Sequence, residues 1–181
     1  MNVPNILTII RIILVPVYCV LMYASFPGAT IWACALFTLA ALTDMADGKI
    51  ARKYNLITDF GKVMDPVADK IMVTAAMVVL VDLHRLAAWI VILMLFRDFA
   101  VGALRDVAAS KGNIIAAGIW GKLKTALQMV SLAMIIFYVN IFFIPTYKLG
   151  MIIMYVALAA SIWSGILYFK QYMAIFSKKT A

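Results

Sequence analysis

Apolar runs of roughly twenty residues recur six times along this chain, and nothing else in the sequence constrains its fold so strongly. Backbone inside hydrocarbon has no water to bond, so a segment that crosses a bilayer must be a helix or part of a closed barrel. Runs of this length without strict alternation read as helices. They fall at about 6–26, 31–42 with a helical continuation through Lys53, 61–81, 86–105, 116–144 and 149–169. Pro16 is a candidate kink in the first, and Phe26-Pro27-Gly28 ends it. Composition agrees: 66% of the residues are apolar and only 13% charged, against about 25% charged in a typical soluble domain. Six spans would use about 120 residues, which leaves short loops and a site but no room for a separate soluble domain. The expectation is an all-α, polytopic integral membrane protein: one transmembrane domain over 1–181, with about six helices around a cytoplasm-facing polar cavity.

Charge then orients it. With an even number of spans, Arg11, Lys49, Arg52, Lys53, Lys62, Lys70, Arg97, Arg105, Lys111, Lys122, Lys124, Lys170, Lys178 and Lys179 share one side, and only Arg85 and Lys148 fall on the other. By the positive-inside rule both termini and the 43–70 segment face the cytoplasm, in a multi-pass protein of the cell membrane. Trp32, Trp89 and Tyr147 near the outer ends, with Tyr168 and Tyr172 near the inner one, are placed as an aromatic belt. The net charge of +8 is therefore a matter of orientation and of anionic phosphate partners; it is not a nucleic-acid surface. Cys19 and Cys34 lie in apolar runs without CxxC spacing and read as inert thiols. The N-terminus lacks a basic leader region and a small-residue cleavage site, so it reads as a retained helix. His84, between Asp82 and Arg85, reads as a solvated loop residue. Small residues Ala157, Ala160, Ser161, Ser164 and Gly165 could seat a helix neighbour or a dimer partner.

All eight acidic residues are Asp, and five of them crowd into 44–69. A carboxylate at membrane depth costs about 2.5–3.5 kcal/mol on insertion scales, so a group of them requires compensation. Asp44 and Asp47 are three apart, and Asp65 and Asp69 four apart, so each pair shares one face of its helix. Packed antiparallel around the 53–60 turn, the two helices would bring four carboxylates together. Lys49, Arg52, Lys62 and Lys70 are too few and too flexible to replace a small, dense cation. Divalent metal ions meet the need, and an all-oxygen donor set without nearby His or Cys selects Mg²⁺ or Mn²⁺ over zinc. Gly48 and Gly61 remove side chains where helices or a ligand approach, and Arg52 offers a bidentate fork to phosphate. Metals with an arginine beside them equip a site for phosphoryl transfer. Salt bridges alone would not require two glycines and four same-face acids.

The run Asp44-x2-Asp47-Gly48-x2-Ala51-Arg52-x8-Gly61-x3-Asp65-x3-Asp69 resembles the signature of the CDP-alcohol phosphotransferase family at each of its fixed positions. That resemblance implies two metal ions held by Asp44, Asp47 and Asp65, with Asp47 bridging. It implies Asp69 as the general base that deprotonates the attacking hydroxyl, also within reach of a metal. CDP would be contacted by Asp47, Gly48, Arg52 and Gly61, with Thr58 and Asp59 as weaker candidates in the same loop. A homodimer is implied as well.

The acceptor is addressed by a second constellation, Arg97-Asp98-x6-Arg105-Asp106 and Gly121-Lys122-x-Lys124-Thr125-x2-Gln128-Met129. Arg97 and Arg105 are about two turns apart on one face of the fourth helix, and Lys122 and Lys124 open the fifth on the same side. Several cations aimed at one place suit an acceptor that carries its own phosphate. Within the family the chain looks most like members that take CDP-diacylglycerol as donor and glycerol 3-phosphate as acceptor, a likeness that covers 2–129 and includes Asn2-x-Pro4-Asn5-x-Leu7-Thr8-x2-Arg11. Thr8 and Arg11 thereby join Arg97, Arg105, Lys122 and Lys124 as acceptor-phosphate candidates. Asp98 stands where many relatives carry Glu; the shorter acid keeps the charge and changes its reach. Two rival readings are kept: a relative with another acceptor, making cardiolipin, phosphatidylserine or an inositol-phosphate lipid, and a cation channel or carrier that uses the aspartates as an ion path. Asp59-Phe60-Gly61 and Gly121-Lys122 mimic kinase and P-loop motifs without their required surroundings.

Overall fold

A computed structural model describes the backbone of residues 3–53, 59–110, 118–141 and 144–177. Within these stretches, the side chains of 3–5, 44–53, 59–63, 65, 66, 69, 140, 141, 144 and 174–177 lie outside the described residues. Six helices make up the described fold: α1 (Val3–Tyr23), α2 (Ala29–Lys53), α3 (Asp59–Asp82), α4 (Ala88–Ser110), α5 (Ile119–Phe137) and α6 (Thr146–Ser177). A single short antiparallel pair, β1 (Asn140–Ile141) with β2 (Ile144–Pro145), joins α5 to α6.

The turns show why the helices stop where they do. Gly28 takes a left-handed φ of +87° between α1 and α2, a conformation that costs glycine little. At the end of α3, Arg85 N–H donates to the Leu80 carbonyl and His84 N–H to that of Val81, with His84 at φ +55°. That is a Schellman closure, and the exposed His84 is its left-handed residue. Tyr138 closes α5 in the same region at φ 45°, its N–H donating to Met134. The fifth helix therefore ends at Phe137, not near Ile144 as hydropathy suggested: the apolar run continues, but its backbone has turned into the β1–β2 pair. Thr146 Oγ1 secures that turn by accepting from Val139 N–H and donating to the Val139 carbonyl.

Among the described residues three helices, at Ile6–Tyr23, Ile119–Phe137 and Thr146–Met173, are long and apolar enough to cross a membrane, as a polytopic membrane protein requires. Among the described residues α2 adds a shorter apolar stretch, Ala29–Thr43. Outward faces are apolar: Ile13, Val20, Ile92, Phe96, Trp163 and Phe169 are all exposed. Such a surface suits hydrocarbon, not water.

Inside, Tyr18, Phe37, Met77, Leu80, Ile90, Met94, Leu132, Ile135, Ile136 and Met154 form one contiguous core. The most extensive helix pairing is α5 with α6, and α1 packs on both α2 and α3. Among the described residues α2 and α3 each pack chiefly on α1, so α1 links the two helices that carry the aspartates. The small residues of α6 face inward. Ala157, Ser161 and Ser164 are buried, and Gly165 lies against Arg97 of α4. They seat a helix neighbour in the same chain.

Candidate active site

The aspartates sit in the last turns of α2 and the first turns of α3. On α2 the buried stripe Ala33, Phe37, Ala40 continues in helical register at Asp44 and Asp47. On α3 the register of buried Ala76 and Met72 continues at Asp69 and Asp65. Gly48, Arg52 and Gly61 fall within the same helical ends. The side chains of Asp44, Asp47, Arg52, Asp65 and Asp69 lie outside the described residues, as does Thr58 altogether. Among the described residues no His, Cys or acidic cluster offers a metal site elsewhere.

Thr8 and Arg11 come from α1 and are both buried. Arg11 lines a small cavity of about 10 Å³ with Phe37, Ala40 and Ala41 of α2, Met72 and Val73 of α3, and Met129 of α5. Of these, Ala40 and Met72 are one helical turn along their own helices from Asp44 and Asp69.

A larger cavity, about 380 Å³, opens between α3, α4 and α5. Val73 and Met129 line both cavities, so the two adjoin. Its polar lining consists of Lys70 and Thr74 from α3, Arg97, Asp98 and Arg105 from α4, and Lys124, Thr125 and Gln128 from α5. Three of the acceptor candidates, Arg97, Arg105 and Lys124, thus meet in one place, and Lys70 joins them. Lys122 is exposed and does not line this cavity. Lys70 is the residue that the motif spacing undervalued: its ammonium lies 5.6 Å from the Phe99 ring centroid. A Cβ on Gly102 would sit 3.4 Å from it, so the glycine keeps that space open.

The cations are not equivalent. The Lys124 ammonium donates to both oxygens of Asp98, at 2.7 and 2.6 Å. Arg97 Nη1 donates to Asp98 Oδ1 at 3.1 Å. Arg97 Nε donates to the Ser161 carbonyl at 3.1 Å and Nη2 donates to Ser164 Oγ. Its guanidinium also lies 5.8 Å from the Tyr168 ring. Tyr168 Oη in turn accepts the Gly118 N–H at 2.9 Å and holds the start of α5 against α6. Arg105 remains exposed. Ser161 and Ser164 were visible in the sequence as packing positions; the acceptance from Arg97 by the Ser161 backbone carbonyl and the Ser164 hydroxyl was not.

The profile of the family described as CDP-alcohol phosphatidyltransferase matches residues 1–163. The chain belongs to this family. It is 36% identical over 182 aligned residues to the CDP-diacylglycerol–glycerol-3-phosphate 3-phosphatidyltransferase of Bacillus subtilis (strain 168), with 94% of each chain covered. It is 37% identical over 172 residues to the protein of the same name from Haemophilus influenzae, covering 92% of this chain and 91% of that one. The Rickettsia bellii protein of that name is 38% identical over 172 residues, with 93% of this chain and 94% of that one covered.

Proposed function

We propose that this protein transfers the phosphatidyl group of CDP-diacylglycerol to glycerol 3-phosphate, giving phosphatidylglycerol phosphate and CMP. One observation carries the reading beyond the names of the relatives: the cavity beside the aspartate-bearing α3 is lined by four cations and, among the described residues, one carboxylate. That excess of positive charge suits an acceptor with a phosphate of its own. Serine and free inositol carry none.

In this reading Asp69 accepts the proton of the acceptor hydroxyl as its oxygen attacks the lipid-side phosphorus. The bond from that phosphorus to the bridging oxygen breaks, and CMP leaves with the electron pair. Arg52 holds the CDP phosphates in a bidentate fork, and Gly48 and Gly61 leave room for the nucleoside. Asp44, Asp47, Asp65 and Asp69 form a donor set of carboxylate oxygens alone, which fits Mg²⁺ or Mn²⁺. Such ions, when bound, neutralise the pyrophosphate and the leaving phosphate. Lys70 and Arg105 receive the acceptor phosphate. Thr8 and Arg11, one turn apart on α1 and both buried, serve the phosphates at the reacting end. The site faces the cytoplasmic leaflet, where a soluble acceptor and a lipid donor meet. The homodimer that the family resemblance implies uses a face other than the inward small-residue stripe of α6.

The test is an acceptor panel: purified protein, CDP-diacylglycerol, Mg²⁺ or Mn²⁺, and glycerol 3-phosphate, serine, inositol, inositol phosphate or phosphatidylglycerol. CMP release with glycerol 3-phosphate alone is expected. Preference for another acceptor would overturn the assignment while sparing the reaction class, and metal-ion flux across liposomes without a nucleotide lipid would favour a channel.

A further inference from the structure

We propose that Asp98 is a positioning residue of the acceptor site: its carboxylate draws the Lys124 ammonium and the Arg97 guanidinium to the cavity wall and so leaves Lys70 and Arg105 to take up the acceptor's phosphate. The proposal rests on the function proposed above for the same cavity. Lys124 is 3% exposed, and a cation so placed requires a counter-charge with good geometry. Asp98 supplies it with both oxygens. It is the one carboxylate among the described residues lining the cavity. Arg97 is committed on three sides, to Asp98, Ser161 and Ser164. Lys70 and Arg105, by contrast, make no salt bridge among the described residues. Both are exposed where they line the cavity.

The length of the acid matters. An aspartate holds the ammonium of Lys124 close to the α4 backbone, whereas one more methylene would carry it about 1.5 Å toward the lumen. There it would compete with Lys70 and Arg105 for the phosphate. Freed altogether, Lys124 would bind the phosphate of the acceptor in the wrong place.

Three variants test this: Asp98→Asn, Lys124→Gln and the double variant. In Asp98→Asn the cavity gains a net positive charge. We expect the KM for glycerol 3-phosphate and the inhibition constant of inorganic phosphate to fall about 5-fold while kcat falls about 10-fold. Lys124→Gln leaves Asp98 facing the lumen, and both constants should rise about 5-fold. The double variant should return both toward the wild-type values, and the KM for CDP-diacylglycerol should change in none of them. A merely structural pair would lower the amount of active protein without moving KM in opposite directions. Equal constants in wild type and Asp98→Asn, or shifts of the same sign in both single variants, would overturn the proposal. Should the single variants fail to fold, the double variant, which removes both charges of the Lys124–Asp98 pair and leaves Arg97 held by Ser161 and Ser164, should still fold and turn over; a double variant that does not fold overturns it as well. Stabilisation of each folded protein against heating by inorganic phosphate gives a readout without turnover. If wild type ignores glycerol 3-phosphate, the function proposed above fails, and the order of phosphate stabilisation still decides the role of Asp98.

Discussion

Gly150 offers the sharpest test of how the site is supported. A Cβ built there would lie 2.9 Å from Ile135 Cγ1, 3.1 Å from Met134 Cβ and 3.2 Å from the backbone nitrogen of Ile135. Carbon pairs prefer about 3.5–4.0 Å, and a backbone nitrogen cannot rotate away. Ser131 Oγ, which donates to the Gly150 carbonyl at 2.7 Å, further ties the two helices at this crossing. Gly150→Ala should therefore cost the roughly 1–3 kcal/mol of an overpacked core, offset by about 1 kcal/mol from the better helix propensity of Ala. A net loss of about 1 kcal/mol corresponds to a Tm about 2–4 °C lower in a domain of this size. Gly102→Ala is the control: its Cβ would meet only the flexible Lys70 ammonium, at 3.4 Å, so the propensity gain should dominate and the Tm should rise. Thermal unfolding in detergent, followed by tryptophan fluorescence, compares the two. The α5–α6 contact also sets where Lys124 of α5 meets Asp98, whose neighbour Arg97 is anchored on α6 by Ser161 and Ser164, so Gly150→Ala should raise the KM for glycerol 3-phosphate. If Gly150→Ala raises the Tm as Gly102→Ala does, the close crossing at this glycine is refuted.

Other expectations are simpler to check. Asp69→Asn should reduce CMP release by about 10²–10⁴, the usual range for a positioned general base, with a Tm close to wild type; retained turnover would refute its role. Dialysis against a chelator should abolish turnover, and Mg²⁺ or Mn²⁺ should restore it, which an assay of CMP release on the stripped protein reads directly. Tyr168→Phe removes the acceptor of the Gly118 N–H and should cost about 1 kcal/mol, measured as a Tm lower by about 2–4 °C.

Hydropathy and punctuation were enough to place most helices. Pro27-Gly28 marks the first turn, and the apolar runs locate α1, α2, α3 and α4 to within a few residues. The end of α5 was not legible, because Ile141 and Ile144 are as apolar as the helix before them and only the left-handed Tyr138 turns the chain. The helical register of the aspartates was legible because their spacing is local: three and four residues fix a helical face without knowledge of any other element, and α2 and α3 carry them as helix. Asp98 was not legible. Its partner Lys124 is 26 residues away, and their meeting depends on how α4 and α5 rotate against each other, which no periodicity within either helix records. Ser164 shows the same limit, since a small residue that packs and a small residue whose hydroxyl accepts from a guanidinium look alike in sequence, and the backbone carbonyl of Ser161 that accepts from Arg97 leaves no mark in the sequence at all.

The way charges are satisfied also separates the cations by task. A polar group at membrane depth must find its partner inside the protein. Arg97 and Lys124 have found theirs: the first in α6 and Asp98, the second in Asp98. Their charge is largely spent on holding α4, α5 and α6 together around the cavity. Replacing either one alone strands a partner, so loss of activity in Arg97→Ala or Lys124→Ala would not by itself identify a substrate contact. Lys70 and Arg105 can be truncated without stranding a described carboxylate. Loss of acceptor affinity with unchanged stability is therefore informative at these two positions, and it is there that an assignment of the phosphate contacts begins.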